Sequence, residues 1–547
     1  MRFPCFLAAL LGAGSMLAQE APRFPSPSYF RHTFQTPRTR IELQPPARLE
    51  DFLVDGGLEL SLRNYLELVM ANNTDIAIQK LSLEMPRNNI IRAFGTFDPA
   101  FVGSFSANRA KDASTSSLAG ASVLNQLSQI ADFRYTQTLQ NGTLFNVGFN
   151  WGKSSSNNSF STFNPAHSTQ LAFGLTQPLL RNRGAYITRL PIMVARSTLR
   201  KSEYDLRDQL LQLVQSAESA YWDVIESRES LKVQEEYLKL NDVSLKRSQR
   251  ELELGALSPL DIYRPQQQYA QAEIQVSRYR FQLAQREDVL RRLIGADLDP
   301  RMRKLPVVLT ETVLPPVNEA AVDPEAAVQK ALAMRPDLRS AQQSLDLDEL
   351  SIKSSTNALR PDLSLTAGYT SKGRGGTYYE KTDPFGDGNL VSRIVPGGFS
   401  DALGQLFAFE IPTYAFGLTL RFPIRDRRAS ADLANSLVQK RLDALRVRST
   451  EQRVRLDVLN AINNVEAAKA GVRLAKVAVD FAKKQADAEQ KKYDLGTNIM
   501  YFVLQAQTDL ASAESELVTQ SIEYRKSLLN LLRYTGELLD ERGVAIK

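Results

Sequence analysis

Between residues 192 and 254 the chain contains neither glycine nor proline. At a rise of ~1.5 Å per residue this stretch makes one helix roughly 90 Å long, where a globular helix ordinarily has about 11 to 12 residues. No single globular core can cover such a rod, so it needs neighbours of similar length. Its apolar positions say of what kind, because Leu206, Leu210, Leu213, Ala217, Ala220 and Val224 step by four and three, the periodicity of a coiled coil. Val458, Ala461, Val465, Ala468, Val472, Ala475, Val479 and Ala482 repeat the pattern, and Leu510, Ala513, Leu517, Ser521, Tyr524, Leu528 and Leu531 carry it into a third helix. Alanine at half of the second seam lets two backbones approach closely. The bulky side chains of a thick core are scarce there.

Between the helical blocks the period changes to two. Phe145, Val147, Phe149 and Trp151 alternate with Asn146, Gly148, Asn150 and Gly152, which makes a strand with one apolar and one polar face. Residues 101–107, 133–139, 171–175, 363–369 and 414–422 behave alike. Lengthened slightly, each reaches the roughly 9 to 11 residues that cross a bilayer as a tilted barrel strand, apolar toward lipid and polar toward the lumen. Long connections at 111–131, 153–168 and 373–412 mark the outer end of such a barrel, and Gln140-Asn141-Gly142-Thr143 is a tight hairpin signal at the other. Residues 400–407 suit a short helix that either lids the mouth or packs on its own loop. The first strand region holds four candidates and the second two, so one chain supplies six wall strands unless the hairpin of residues 133–151 stands outside the wall.

Arg2 precedes an apolar run at 6–11, and Ser15-Met16-Leu17-Ala18 ends in a small residue, so residues 1–18 read as a secretory signal peptide. Residues 19–57, rich in proline, then form an N-terminal periplasmic extension, either an ordered strap or a disordered lead-in. The single cysteine, Cys5, lies inside the signal, too early for a lipoprotein cleavage site. No later stretch approaches the ~18–20 consecutive apolar residues of a transmembrane helix. An exported chain of this kind meets a membrane as a β-barrel or lies against it.

Lys and Arg exceed Asp and Glu by 67 to 61 with the signs interspersed, the pattern of solvated helix faces and not of a nucleic-acid footprint. The parts of an active site are missing. His32 falls in the N-terminal segment and His167 in an outer loop, far apart and without cysteine partners. Gly373-Arg374-Gly375-Gly376 lacks the strand, lysine and helix of a phosphate loop. The sequence implies no catalysis, no metal site and no cofactor.

Residues 61–110 align without a gap on 323–372, and Phe173-Gly174-Leu175-Thr176 recurs as Phe416-Gly417-Leu418-Thr419. A first repeat therefore occupies 58–310 and a second 311–547, each with a helix, strands and a long helical hairpin. Each hairpin reverses at a glycine, in Leu254-Gly255-Ala256-Leu257-Ser258 and in Leu495-Gly496-Thr497. Gly takes the positive φ that a tight reversal needs, and Ser258-Pro259 suits the cap and first turn of the next helix. Together with Ser61 to Asn73 and Thr176-Gln177-Pro178-Leu179-Leu180, these features over residues 60–540 resemble the TolC family of outer-membrane efflux channels.

That resemblance implies an α+β channel-tunnel: antiparallel coiled-coil helices forming an α-barrel in the periplasm, and an outer-membrane β-barrel completed by trimerisation. It implies a homotrimer in contact with outer-membrane lipid, conducting substrates passively as the exit of a tripartite efflux pump or a type I secretion system. Its partners would be a periplasmic adaptor (membrane fusion) protein, docking at Leu254, Gly255, Ala256, Leu257, Ser258, Leu495, Gly496 and Thr497, and an inner-membrane pump. The tunnel entrance would hold Asp261, Asn498, Phe502 and Gln505. Phe502 stands where the family's pattern would place an acid, as an apolar constriction or packed between helices. The rival reading is a periplasmic coiled-coil adaptor or binding protein without its own pore, which has no use for six two-faced strands.

Overall fold

The computed structural model describes residues 49–54, 56–115, 119–255, 258–313, 323–382 and 391–544. The expected signal peptide, nearly all of the expected extension, His32, and Ala256 and Leu257 of the first tip lie outside them.

At the root of the helices β1 (Leu53–Val54), β2 (Gly57–Leu60) and β7 (Val307–Leu309) make a small sheet, with β2 parallel to β7. Three short helices follow β2, namely α1 (Leu62–Asn72), α2 (Thr74–Ser82) and α3 (Glu84–Phe94). The break between the first two is made by Asn73, whose Oδ1 accepts from the amides of Asp75 and Ile76 at 2.8 and 3.2 Å, a side-chain cap that starts a new helix. Four strands come next, β3 (Ala100–Ala113), β4 (Val123–Thr138), β5 (Leu144–Ser156) and β6 (Phe163–Pro178). Then comes the first hairpin, α4 (Leu190–Glu253, 64 residues) and α5 (Tyr263–Leu293). The second half uses α6 (Pro324–Met334), α7 (Pro336–Ala358), β8 (Asp362–Lys381), β9 (Val391–Val395), α8 (Phe399–Ala408) and β10 (Pro412–Arg421). A second hairpin closes it, α9 (Arg427–Asp494, 68 residues) and α10 (Met500–Thr535).

The large sheet is antiparallel in the order β10-β8-β6-β5-β4-β3, with β9 added to the outer part of β8. The hairpin of β4 and β5 therefore belongs to the wall, and the chain contributes six wall strands. The strands are longer than the sequence suggests, 13 to 16 residues in β3 to β6 and 20 in β8. The connection expected at 111–131 shrinks to 114–122 and that at 153–168 to 157–162. Ser, Asn and Gly carry no apolar alternation, yet the backbone ladder continues through them once the pairing is set. For the same reason His167 lies on β6, paired with Lys153 and Gly375, and not in an outer loop. Residues 139–143 make the tight turn: the Gly142 amide donates to the Leu139 carbonyl, and Gly142 takes φ +91°.

Register sorts the faces. Phe101, Tyr135, Val147, Phe173, Tyr369 and Tyr414 lie in one row across the sheet, and Phe133, Phe149 and Leu171 in the next row of that face. The opposite face carries Asp132, Arg134, Asn150, Gln170 and Lys372. A charge facing lipid at mid-membrane costs about 2–4 kcal/mol, so the aromatic face is the outer one.

The root of the helices holds the main core. Leu58, Leu60, Tyr65, Leu210, Val214, Tyr221 and Leu290 are buried together. The Tyr65 hydroxyl donates to the Ala217 carbonyl at 3.1 Å, and that of Tyr221 to the Leu60 carbonyl at 3.0 Å. Burial raises both phenol pKa values, that of Tyr221 to about 12. Val454, Val458, Ala461, Val465, Ala468 and Val472 form a second cluster with Tyr524 and Leu531, as their spacing predicts. On α4 the buried face is broader than the expected seam: Leu211, Val214, Tyr221, Trp222 and Ile225 are buried, whereas Leu213 and Ala220 are only partly so. The reason is that α4 packs on α5, α7 and α10 at once.

Candidate functional site

Both hairpins reverse at a glycine in the left-handed region, Gly255 at φ +73° and Gly496 at φ +71°. The Gly496 amide donates to the Tyr493 carbonyl at 2.9 Å and the Thr497 amide to Lys492 at 3.0 Å, the helix-ending pattern in which a residue with a Cβ would be strained. Ser258 does not cap the next helix. Its hydroxyl accepts from the Leu260 amide at 3.3 Å, and α5 starts only at Tyr263. The tips present apolar side chains outward, Leu254 at 83 % exposure, Leu260 at 78 % and Leu495 at 79 %.

Just behind the tips the two hairpins are tied together. Arg247 on α4 donates to Asp494 at the end of α9 at 2.6 Å and to Glu251 at 3.0 Å, and its guanidinium lies 4.5 Å from the centre of the Tyr493 ring. The Tyr493 hydroxyl donates to the other oxygen of Glu251 at 2.5 Å. The bond to Asp494 raises the Arg247 pKa further, and the same bond lowers that of Asp494. Burial, with the Glu251 bond second, pushes Tyr493 up to about 12. A second tie joins the following helices, where the Arg264 guanidinium sits 3.9 Å from the Tyr501 ring centre.

The expected entrance residues lie at this end but do not form the ties. Asp261 is exposed, its amide bonded to the Ser258 carbonyl. Asn498 donates to Glu489, Gln505 donates to Asp509 at 3.0 Å, and Phe502, next to Tyr501, is 46 % exposed in the single chain and so not packed between its helices. Sequence reasoning missed Arg247, Glu251, Tyr493, Asp494 and Arg264. The available signal was an Arg, an acid and a Tyr-Asp pair within two to three turns of the glycines.

The interior of α4 changes along its length. Toward the root it buries Leu210, Val214, Tyr221 and Ile225; toward the tip it buries Ser227, Ser230, Tyr237, Asn241, Ser244 and Ser248. Asn241 Oδ1, Ser248 Oγ and Gln507 Oε1 are buried without a hydrogen-bond partner. Apolar burial is worth about 25 cal/mol per Å², and unpaired buried polar atoms oppose it, so the seam is weakest where the ties stand.

Both flanks of the chain are unfinished. On one side lie β3, exposed at nearly every residue, and exposed Met85, Ile91 and Phe94 of α3 and Ile274 and Phe281 of α5. On the other lie β10, again exposed almost throughout, and exposed Leu437, Leu456, Leu474 and Phe481 of α9. Among the described residues no group of histidine, cysteine and acidic side chains could hold a metal ion, and no helix is long and apolar enough to cross a membrane.

The family model for outer membrane efflux proteins matches residues 144–296 and 327–537. The toluene efflux pump outer membrane protein TtgC of Pseudomonas putida is 23 % identical over 343 residues, 62 % of this chain and 64 % of that protein. Outer membrane protein TolC of Escherichia coli is 24 % identical over 345 residues, 61 % and 63 % of the two chains. The chain thus spans just under two thirds of the length of these relatives. The Campylobacter jejuni CmeC outer membrane channel superposes with a TM-score of 0.60 at 16 % identity, over 87 % of this chain and 86 % of that one. A membrane protein from Pseudomonas aeruginosa does so with 0.61 at 18 %, over 92 % and 99 %. At such identities the likeness is one of fold, the channel-tunnel.

Proposed function

Because the chain belongs to the outer membrane efflux protein family, a family of outer-membrane channel proteins and not of enzymes, we propose that it is a passive exit duct through the outer membrane, closed into a ring by three copies of itself. The observation that carries this reading is the pair of unfinished flanks. An unpaired strand edge in lipid leaves amide and carbonyl groups unsatisfied at several kcal/mol each. Pairing β3 of one copy with β10 of the next removes both edges, and the same rotation brings α3 and α5 against α9. The contact is head-to-tail, which closes into a ring when each copy is turned by a third of a circle from the last. Three copies of six wall strands make a barrel of about eighteen, a size that leaves an aqueous channel.

The exposed leucines at 254, 260 and 495 supply an apolar docking surface for a periplasmic adaptor, which would connect the duct to an inner-membrane efflux pump or a type I secretion machine. Entry is controlled behind that surface, where Arg247 and Arg264 hold the first hairpin against the second.

Native mass spectrometry in detergent together with planar-bilayer recording tests the duct. A trimer with steady, ion-conducting openings is expected; a monomer that conducts nothing would overturn it. Photocrosslinking from position 497 tests the partner, and capture of outer-membrane porins alone would count against an adaptor.

A further inference from the structure

The helix between β9 and β10 does not lie across the mouth of the barrel. It rests on the outer, aromatic face of the wall: Thr169 and Ser371, both on that face, donate their hydroxyls to the carbonyls of Ala402 at 2.9 Å and Leu406 at 2.8 Å. The wall is shaped to receive it. Along this face β8 presents Leu363, Leu365, Ala367 and Tyr369, then Ser371, Gly373 and Gly375. A Cβ on Gly373 would run into the Ala402 carbonyl oxygen and one on Gly375 into that of Gly398. The helix backbone therefore occupies the place of missing wall side chains. Phe399 packs edge-on to Trp151 at 5.6 Å between ring centres, and Phe409 meets Tyr369 at 6.0 Å.

Ala402 and Leu406 are buried against the wall, while Phe407 is 62 % exposed, Phe409 44 % and Phe399 39 %. A short helix with the Phe407 ring turned away from the protein, flanked by the part-exposed rings of Phe399 and Phe409, is costly in water. It is at home in a bilayer, because a helix satisfies its own backbone groups and is one of the few conformations that lipid tolerates. Its outward surface continues the band formed by Tyr414, Phe416, Leu418 and Leu420 of β10, all exposed. It lies toward the outer ends of β6 and β8, where aromatic side chains favour the membrane–water boundary.

We propose that α8 is a lipid-contacting collar, seated on the outside of the barrel in the outer leaflet, with the acyl chains just below the headgroups as its partner. The inference rests on the outer-membrane duct reading for one thing, the direction in which the aromatic face points.

The only cysteine in the full chain is Cys5, so Phe407→Cys and, on the opposite face of β8, Lys372→Cys can each carry a single nitroxide once Cys5 is absent or changed to Ala. The full-length protein is reconstituted in vesicles of phosphatidylethanolamine and phosphatidylglycerol, and collision rates with oxygen and with a water-soluble nickel chelate are compared. At position 407 oxygen should exceed nickel severalfold, and at 372 the order should reverse. Nickel dominating at 407, as for a lid in water, would overturn the collar, and so would protection from both reagents, as for a contact with another copy. If 372 also reports lipid, the orientation of the wall fails instead, and the duct reading with it. Leu403→Cys, on the same helix, repeats the measurement should Phe407→Cys not fold.

Discussion

Arg247 and Asp494 stand 247 positions apart in sequence and meet at 2.6 Å at the periplasmic end of the two hairpins. The contact joins the last turns of α4 and α9, so it can hold the tips together only while the helices keep their present crossing. Replacing Arg247 by Ala removes the bonds to Asp494 and Glu251 and the stacking on Tyr493 in one step. The expected outcome is a severalfold rise in single-channel conductance or open probability in planar bilayers. Arg247→Asp combined with Asp494→Arg should recover much of the closed behaviour. An Arg247→Ala channel that conducts like the parent would remove this pair from the entrance.

The polar seam below Ile225 makes a second expectation, opposite in sign. Asn241 and Ser248 are buried with an unpartnered oxygen each, and an unsatisfied buried polar atom costs about 1–3 kcal/mol. Asn241→Leu with Ser248→Ala should tighten the lower coil. Thermal stability should rise by a few degrees and conductance should fall, even though neither side chain bonds to the ties. A stabilised protein with unchanged conductance would separate the seam from opening.

The helical seam at Val458, Ala461 and Val465 and the alternation at Phe145 to Trp151 were legible in the sequence because they are periodic, and periodicity survives translation into structure wherever a single face must be buried. The glycines at the tips were legible for a local reason, the positive φ of a helix end. The length of the strands was not, because the ladder through Ser154, Ser155 and Ser156 is held by backbone groups that every residue owns. The ties were not legible either. Arg247 and Arg264 look like any other charge on a solvated helix until the second hairpin is laid against the first, and the offset from a glycine that points to Asp261 does not point to them.

Asp348 on α7 and Asp443 on α9 are both buried, with Asp443 satisfied by Arg446 at 2.6 Å and Gln439 at 2.9 Å. Asp348 Oδ2 has no such donor. Burial and then the Asp443 charge raise the Asp348 pKa to about 6, and a proton on Asp348 can bridge to Asp443. The folded pKa lies above the ordinary carboxylate value, so the folded chain holds the extra proton more tightly. Stability is then gained as pH falls through about 6 and is lost as pH rises through it. Asp348→Asn keeps the bridging donor at every pH. It should raise the melting temperature near neutral pH and leave it almost unchanged at about pH 4 to 4.5, where Asp348 is itself protonated in the fold. A benefit equal at both pH values would mean that the amide acts by packing alone.

Glu218 on α4 is 2 % exposed and accepts two bonds from Arg542 at 2.7 and 2.8 Å. The two partners are unequal, because the arginine side chain is 29 % exposed and can return to water, whereas the carboxylate cannot. Losing the partner of a buried charge costs about 3–5 kcal/mol, and the loss should fall on the side of the carboxylate. Arg542→Ala is therefore expected to be the more damaging change, and Glu218→Gln the milder, since the amide oxygen still accepts one bond from the guanidinium and no buried carboxylate is left unpaired. Hydrogen exchange at residues 538–544 and along the root of α4 reads the difference locally, without needing the protein to unfold reversibly. Arg542→Ala should speed exchange at both places, because Leu538 and Leu539 pack into the same core as Trp222. Equal effects from the two substitutions would show that the pair acts as a simple surface contact, with burial of Glu218 relieved by water.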